Sequence, residues 1–277
     1  MPVIALTQEM GSLAKEVAEQ LAAALGLSVM RHEVVDHVAG RMHVSKSLVN
    51  RLREGQAGAI ERFKADRAGM AVYTAEEVLE KAAGGDVVLR GWGATCLLRP
   101  VSHVVSVRIT RSEVRRVQWL AARLGTEDLE FAEAEIRRSD RAHASNMNAR
   151  FGVAWGDPLL YDIVLNTDRV SVDSCVELIR ALAARPEFAE TPESRTRLQA
   201  MALEARIRAA LRGQQATRDV DVTIDIVDAR VTLRGIVLDA AEKPAAVKTV
   251  AAVPGVASVD DQLRVMAKSR LFPSAKN

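Results

Sequence analysis

The sequence predicts an α/β fold, in which helices cover both faces of a parallel sheet, followed by a small α+β unit. Short, nearly continuous apolar runs alternate with helical patterns through residues 1–185, and strands buried on both faces of a parallel sheet have this composition. The stretch RPEFAETPESR (185–195), with two prolines and three glutamates, interrupts the alternation. After it, two strands with alternating apolar and polar residues surround a tight turn, which indicates an antiparallel hairpin.

The elements of the first part follow from apolar runs and from helical spacing. Apolar runs predict strands at 3–6, 86–94, 103–110 and 161–167. Apolar residues at helical spacing predict helices at 12–25, 33–42, 45–64, 112–124, 127–148 and 172–184, and the end of a helix at 76–83. Glycines end two of these helices, at Gly26 and at Gly84, and Ser171 is placed to cap the last one.

The second part has the order helix, strand, strand, helix, strand. We expect a helix at 198–211, strands at 221–228 and 230–237 joined by a turn at Asp228 and Ala229, a helix at 240–253 and a strand at 258–265. Two helices can bury one face of such a three-stranded sheet. The sequence therefore predicts a domain at 1–185, a linker at 186–196, a second domain at 197–267 and a tail at 268–277.

Composition limits the kind of protein and its partners. A net charge of +2 and only 4% aromatic residues argue against a nucleic-acid partner, which needs basic surface and stacking side chains. Cys96 and Cys175 are far apart and form no C-x-x-C pattern, as in proteins of a reducing compartment. No stretch resembles a secretion signal or a membrane span. We therefore expect a cytoplasmic protein.

The segment EMGSLAKEVA (9–18) joins the first strand to the first helix. Backbone N–H groups at the start of such a helix face an anion, and the helix dipole favours negative charge there. Gly11, Ser12 and Lys15 are therefore the predicted phosphate-binding residues. Leu13 and Ala14, however, stand where the phosphate-loop pattern G-x-x-x-x-G-K-[ST] would favour glycine. Two interpretations stay open, a working phosphate loop and an ordinary strand-to-helix turn.

Histidines give no metal site in this sequence. His32, His37 and His43 are five and six residues apart, so they do not share one face of a helix. No cysteine or carboxylate pattern completes a set of ligands around them. We therefore predict no metal bound by protein side chains alone.

The C-terminal part resembles a BON domain. The resemblance rests on DVTIDIVDARVTLRGIV, with Gly235 after the second strand, and on PGVASVDDQLRV. It covers residues 197–267. It implies a non-catalytic binding module whose partner is a phospholipid, a small ligand or a protein.

The first 185 residues resemble the cytidylate kinase-like family of P-loop nucleotide kinases. Four stretches carry the resemblance: ALTQEMGSLAKEVAEQLAAALG, VVLRGWGA, RSDRAH and WGDPLLYDIVLNTDRVSVDSCVELI. The resemblance implies a P-loop kinase-type parallel sheet with helices on both faces. It also implies ATP as phosphoryl donor, Mg²⁺ as cofactor and a CMP-like nucleoside monophosphate as acceptor.

The same resemblance supplies candidate site residues. Lys15, Arg115 and Arg141 are the cations that it implies for catalysis, and Asp140 and Asp162 are the residues implied for substrate binding. Four of them have a plainer interpretation. Arg115 is a solvated residue of a charged helix, Asp140 and Arg141 form an exposed helix pair, and Asp162 caps a turn. Asp162 could instead hold a metal-bound water.

Charged positions also depart from the family's pattern. Gln8, Trp92 and His143 stand where the family has arginine, the residue best suited to stabilise phosphate charge. Three hypotheses follow. The chain is an ATP-dependent nucleoside monophosphate kinase, or it is a catalytically degenerate kinase fold that senses nucleotides or regulates through its BON domain, or it mainly forms homo-oligomers through that domain.

Overall fold

The structure is a computed structural model, and it describes residues 2–30 and 33–266. It divides the chain into two compact units, residues 1–199 and 200–277. His32 and the predicted tail at 268–277 lie outside the described residues.

The first unit contains a five-stranded sheet in the order β2-β3-β1-β4-β5. Its strands are β1 (Val3–Gln8), β2 (Ser28–Met30), β3 (Val87–Arg90), β4 (Val104–Thr110) and β5 (Ile163–Asn166). Every neighbouring pair is parallel, which confirms the predicted sheet. The sequence missed β2, because this edge strand has only three residues and its pattern is too short to stand out.

Helices connect these strands and cover the sheet. They are α1 (Ala14–Leu25), α2 (Glu33–Met42), α3 (Lys46–Arg53), α4 (Ala59–Lys64), α5 (Arg67–Gly84), α6 (Ala94–Leu97), α7 (Glu113–Leu124), α8 (Leu129–Phe151) and α9 (Val172–Ala183). Successive residues of β1 point to opposite faces of the sheet, and Val3, Ile4, Ala5 and Leu6 are all at most 1% exposed. Both faces of the sheet are therefore covered.

The main core lies between the sheet and two of these helices. Side chains from β1, β3, β4 and β5 pack with α1 and α9, and its fully buried members include Ile4, Val17, Leu21, Cys175 and Ile179. Burial of one large aliphatic side chain stabilises the fold by about 1.5–3 kcal/mol. This packing fixes the start of α1 relative to the strand ends, where the loops of a parallel sheet form binding sites.

Helix α10 (Pro192–Gly213) begins within the stretch predicted as a linker. Residues 186–188 form a 3₁₀ turn, and Thr191 and Ser194 exchange hydrogen bonds at the start of α10. A capping threonine followed by proline is a helix-start signal, which the apolar pattern beginning at Leu198 concealed. The domain boundaries drawn from the sequence stay a prediction.

The second unit has the predicted αββαβ order. After α10 come β6 (Thr223–Val227), β7 (Arg230–Val237), α11 (Glu242–Ala251) and β8 (Ser258–Val265). Strands β6 and β7 are antiparallel, and β7 and β8 are parallel. Asp228 and Ala229 have φ angles of 47° and 63°, as both central residues of a type I′ hairpin turn require. The predicted hairpin and its turn are confirmed.

Candidate functional site at the carboxyl edge of the sheet

Residues 9–13, here called the Gly11 loop, lead from β1 into α1. Gly11 has φ 82°, and Leu13, the N-cap of α1, has φ 62°. The left-handed conformation costs a non-glycine residue roughly 1–2 kcal/mol, so Leu13 keeps a glycine-like turn under strain. Leu13 makes no side-chain cap. The first backbone N–H groups of α1 therefore have no acceptor from a cap and face the position that an anion would take.

A buried hydroxyl without a partner lies in the same loop. Ser12 is 1% exposed, and its Oγ makes no hydrogen bond within the described part of the chain. Its carbonyl accepts a bond of 2.8 Å from Thr167 Oγ1, in the loop after β5. The Oε1 of Gln8 is also buried and unpaired within the described residues. Such groups cost about 1–3 kcal/mol each, and they are typical of sites that a polar ligand completes.

Helix α7 packs directly on the Gly11 loop. A Cβ added at Gly11 would lie 3.1 Å from Trp119 Cε3 and 3.2 Å from both Cα and Cβ of Arg116. Arg111, just before α7, points its Nη1 at the carbonyl of Gly11 at 3.4 Å. The position therefore needs glycine both for its backbone conformation and for the close approach of α7.

Glu9 joins the end of β1 to the end of β4. Its Oε1 accepts a 2.7 Å hydrogen bond from Arg108 Nη2, and its Oε2 accepts bonds from Thr110 Oγ1 (2.7 Å) and from the backbone N–H of Arg111 (3.2 Å). The Glu9 side chain is 13% exposed. Charge-assisted bonds in such a setting are stronger than neutral ones, so Glu9 fixes the first residue of the Gly11 loop.

Arg116 is the buried arginine of α7. Its Nη1 and Nη2 donate to the two carboxylate oxygens of Asp140 on α8 at 3.0 and 2.8 Å, and its Nε donates to the carbonyl of Arg111 at 3.1 Å. Burial is the largest effect on Arg116 and opposes its charge, but the bonds to Asp140 together with the negative charges of Asp140, Glu9 and Glu113 raise the pKa of the guanidinium above its ordinary value. Asp140 is thus committed to Arg116.

The remaining family-related position on α8, His143, is partly buried. Its ring stacks on Trp155 with centroids 5.3 Å apart, and Nδ1 donates to the carbonyl of Ser139 at 2.9 Å. Burial lowers the pKa of His143 below its ordinary value, so the ring is neutral at pH 7. It therefore does not supply the positive charge that an arginine would bring.

Trp155 fills the space between His143 and β4. The guanidinium of Arg108 lies 4.5 Å from the Trp155 ring centroid, and the indole N–H donates to Thr7 Oγ1 at 3.1 Å. Trp155 is 6% exposed, so it packs as part of the core. The stack fastens the middle of α8 over the end of β1.

Two arginines lie near the turn after β3, residues 91–93: Arg53 stacks on Trp92, and Arg150 lies over the ring of Phe151, which packs on Gly93. The guanidinium of Arg53 lies 4.7 Å from the Trp92 ring centroid, and its Nε is buried without a hydrogen-bond partner among the described residues. Arg150 donates to the carbonyl of Ala71 at 2.8 Å, and in the described chain no carboxylate pairs with it. Burial lowers the pKa of Arg150 to about 10. Arg53 pairs with Glu54 at 2.8 Å, so Arg150 is the partly buried cation here that would favour an anionic ligand nearby.

The structure brings some predicted residues together and leaves others apart. Gly11 and Ser12 form the loop, and Asp140 reaches it through Arg116. Lys15 is exposed on the first turn of α1, Arg115 is exposed on α7, and Arg141 is exposed with its Nε bonded to the carbonyl of Arg137. Asp162 Oδ2 accepts the backbone N–H of Ser106 at 2.7 Å and so anchors the start of β5 to β4.

The sequence did not single out Glu9, Arg108 or Arg150, and it left Arg116 among solvated helix charges. A signal for Arg108 was present, because a charged residue inside the apolar run VVSVRIT needs a buried partner. The partner itself, 99 residues earlier, was not visible from spacing. Within residues 2–30 and 33–266 no cluster of three or more histidine, cysteine or carboxylate side chains could hold a metal ion.

Comparison with family profiles matches both parts of the chain. Residues 3–169 match the cytidylate kinase-like family, and residues 201–267 match the BON domain. The chain therefore belongs to the cytidylate kinase-like family and carries a BON domain in its second unit.

Individual proteins are similar to part of this chain. A cytidylate kinase of Pyrobaculum aerophilum is 26% identical over 179 residues, which cover 64% of this chain and 90% of that enzyme. The crystal structure of an uncharacterized protein from Eubacterium ventriosum is 21% identical, with a TM-score of 0.53, and covers 67% of this chain and 100% of its own. A shikimate kinase from Bacteroides thetaiotaomicron is 18% identical, with a TM-score of 0.41, over 65% of this chain and 97% of its own.

Among the described residues, no helix combines the length and apolarity that crossing a membrane requires.

Proposed function

We propose that the first unit binds ATP with Mg²⁺ at the Gly11 loop and transfers a phosphoryl group to a CMP-like nucleoside monophosphate. One observation carries the proposal: the start of α1, which has no side-chain cap, lies beside the buried Ser12 hydroxyl, which has no hydrogen-bond partner among the described residues. Both features fit phosphate oxygens, which accept hydrogen bonds from backbone N–H groups and from hydroxyls.

The donor phosphates would contact the start of α1. The backbone N–H groups after Leu13, the Ser12 hydroxyl and the Lys15 ammonium supply donors and positive charge, and Arg111 adds a guanidinium at the Gly11 carbonyl. Mg²⁺, when bound, would neutralise phosphate charge while keeping mostly phosphate and water ligands. Glu9 holds β4, so it is not offered as a metal ligand.

The acceptor phosphate would lie near the turn at 91–93. Arg150 is its first candidate partner, because its guanidinium is partly buried and pairs with no carboxylate among the described residues. Arg53, which stacks on Trp92 and already donates to Glu54 at 2.8 Å, is the second. Arginine binds phosphate with two parallel hydrogen bonds. The exposed Arg115 and Arg141 keep their proposed catalytic role only if their side chains move toward the phosphates. Asp140 and Asp162 would contribute to substrate binding indirectly, through Arg116 and β4.

Calorimetric titration tests donor and acceptor binding separately. We expect heat of binding with ATP–Mg²⁺ and with CMP, and Lys15→Ala should weaken ATP–Mg²⁺ binding about tenfold, as loss of a charge-assisted phosphate contact does. The same change should leave CMP binding within twofold. Absence of ATP–Mg²⁺ binding to correctly folded protein would overturn the proposal.

A second function is favoured by the state of α8. His143 is neutral, and the charge of Arg116 is balanced by Asp140, so fewer cations are available to stabilise the transferring phosphoryl group. Loss of one such arginine lowers the rate by about 10³-fold or more in related chemistry. The chain would then bind nucleotide as a regulatory module without turnover. A coupled assay with CMP, UMP and dCMP decides between the two functions. Turnover excludes the second function, and binding without turnover establishes it.

We propose that the second unit is the binding module for a phospholipid surface, a small ligand or a protein, in a cytoplasmic protein. Val227, Ile236 and Leu238 are 70%, 61% and 71% exposed in this unit, and exposed apolar side chains are typical of contact surfaces. Sedimentation with anionic vesicles and light scattering over a range of concentrations separate lipid binding from homo-oligomer formation.

A further inference from the structure

A row of three charged side chains connects the Gly11 loop to α8. Glu9 begins the loop, Arg116 packs on it from α7, and Asp140 lies on α8. Arg116 Nε is 3.7 Å from Glu9 Oε2, while both terminal nitrogens bind Asp140. Only 6% of the Arg116 side chain is exposed. The guanidinium is thus held between one carboxylate from the loop and one from α8.

Arg116 is also in direct contact with the loop backbone. Its Cα and Cβ occupy the space where a side chain at Gly11 would be, at 3.2 Å. Its Nε donates to the Arg111 carbonyl, and Arg111 in turn reaches the Gly11 carbonyl. A shift of the Arg116 side chain therefore has to move either the backbone at residues 111–116 or the loop itself, because a close-packed interior leaves no room for independent motion.

Asp140 touches the loop only through Arg116 in the contacts of the described residues. This makes the pair a specific route between α8 and the loop. Geometry favours a strong link, since arginine and carboxylate form two parallel bonds, and a lysine at the same position cannot reproduce them.

We propose that Arg116 is a positioning residue that couples the conformation of the Gly11 loop to α8, with Glu9 and Asp140 holding its two sides. The inference rests on the proposed binding of ATP at this loop. It assigns to Arg116, rather than to its exposed neighbour Arg115, the role of setting the loop for phosphate. Asp140 acts through Arg116 and does not touch the nucleotide.

The coupling between α8 and the Gly11 loop is tested by measuring ATP–Mg²⁺ binding calorimetrically in three variants: Arg116→Lys, Asp140→Asn and the double variant. Each single change should weaken binding on the order of tenfold, within the usual range of coupling between sites. The double variant should bind no more weakly than the weaker single variant, because both changes break the same link. Unchanged or tighter binding by Asp140→Asn would overturn the inference, since Asp140 would then be neutral or would compete with phosphate for Arg116.

A second ion pair joins the same two helices and provides a matched control. Arg137 on α8 pairs with Glu113 on α7 at 2.9 Å, but these side chains are 58% and 41% exposed. Arg137→Lys should change ATP–Mg²⁺ binding less than twofold, because exposed ion pairs contribute little. An equal loss in Arg137→Lys and Asp140→Asn would mean that any contact between α7 and α8 suffices, and it would overturn the specific role of Arg116.

Hydrogen exchange in the nucleotide-free protein gives a second readout that does not depend on the proposed function. Asp140→Asn should speed exchange of the backbone amides at residues 10–14, whereas Arg137→Lys should not. Unchanged exchange at those amides overturns the inference whatever the calorimetry shows. If wild-type protein binds no ATP–Mg²⁺, the proposed function fails, and the exchange result alone decides whether α8 and the loop are coupled.

Discussion

At the scale of single residues, the site combines strain with incomplete hydrogen bonding. Leu13 adopts a left-handed conformation that glycine reaches without strain, and Ser12 keeps a buried hydroxyl unpaired among the described residues. Both features lower stability, and both are concentrated where a ligand would bind, as strain at functional sites commonly is. The absence of glycine at position 13 therefore does not by itself abolish the shape of the loop.

Relief of strain at Leu13 is directly measurable. We expect Leu13→Gly to raise the free energy of unfolding by up to about 1 kcal/mol, since relief of the left-handed strain exceeds the entropy cost of glycine. Chemical denaturation of the first unit measures it. Ala23→Gly, on the exposed face of α1, is the control and should lower stability by about 0.5–1 kcal/mol. A loss of stability in both variants would show that Leu13 is not strained.

Two histidines, the buried His103 and the partly buried His143, predict a dependence of stability on pH. Burial lowers the pKa of His143, and likewise that of His103, below the ordinary value. The unfolded chain therefore takes up protons at a higher pH than the folded chain does. Stability should be fully present above about pH 6.5, the ordinary histidine pKa, and should fall as the pH drops below it.

His143→Phe should reduce that slope, because phenylalanine can stack on Trp155 and does not titrate. Denaturation curves between pH 7.5 and 5.5 give the measurement. His43→Gln at an exposed position should leave the slope as it is in the wild type. An unaltered slope in His143→Phe would contradict the assignment of a neutral ring at position 143.

At the scale of elements, two helices differ in how their first backbone N–H groups are satisfied. Helix α1 starts without a cap and leaves its N-terminus to a ligand, whereas α10 starts with a reciprocal pair, Thr191 and Ser194. Ser194 Oγ also lies 2.7 Å from Nδ1 of the buried His103. The start of α10 is thus tied to the end of the loop before β4, within the first unit.

Removing the cap of α10 should expose its first turn. We expect Thr191→Ala to cost about 1 kcal/mol, the usual value for an N-cap, and to speed hydrogen exchange at residues 193–196. Thr196→Ala, exposed within the helix, should have little effect because alanine is a good helix former. Equal exchange in the two variants would show that the Thr191 side chain does not hold the helix start.

At the scale of the whole molecule, two units carry separate cores. The first centres on its parallel sheet, and the second on residues from α10, α11 and the mixed sheet, including Ile207, Val231, Leu233 and Val250. Each core is a separate set of buried apolar side chains. A destabilising substitution in one core should therefore lower the stability of its own unit first.

A core change in the second unit tests this separation. Leu233 is fully buried, and Leu233→Ala should destabilise the second unit by about 2–5 kcal/mol. ATP–Mg²⁺ binding at the Gly11 loop should stay within twofold of wild type. Ile236→Ala, on the exposed surface of the same unit, is the control and should lower the free energy of unfolding by less than about 0.5 kcal/mol. Loss of nucleotide binding in Leu233→Ala alone would show that the units depend on each other.

The sequence by itself determined the class of the fold, the family and the order of the elements apart from the short edge strand β2. Apolar runs, helical spacing and the Asp228-Ala229 turn are local signals, and each is read from neighbouring residues. Only the tertiary structure decided which charged side chains form the site. Arg115 and Arg116 are adjacent in the sequence but point about 100° apart on a helix, so one is exposed and the other lies between Glu9 and Asp140. Partners separated by 24 to 107 positions along the chain meet only because β1, α7 and α8 pack together, and no local pattern records that meeting.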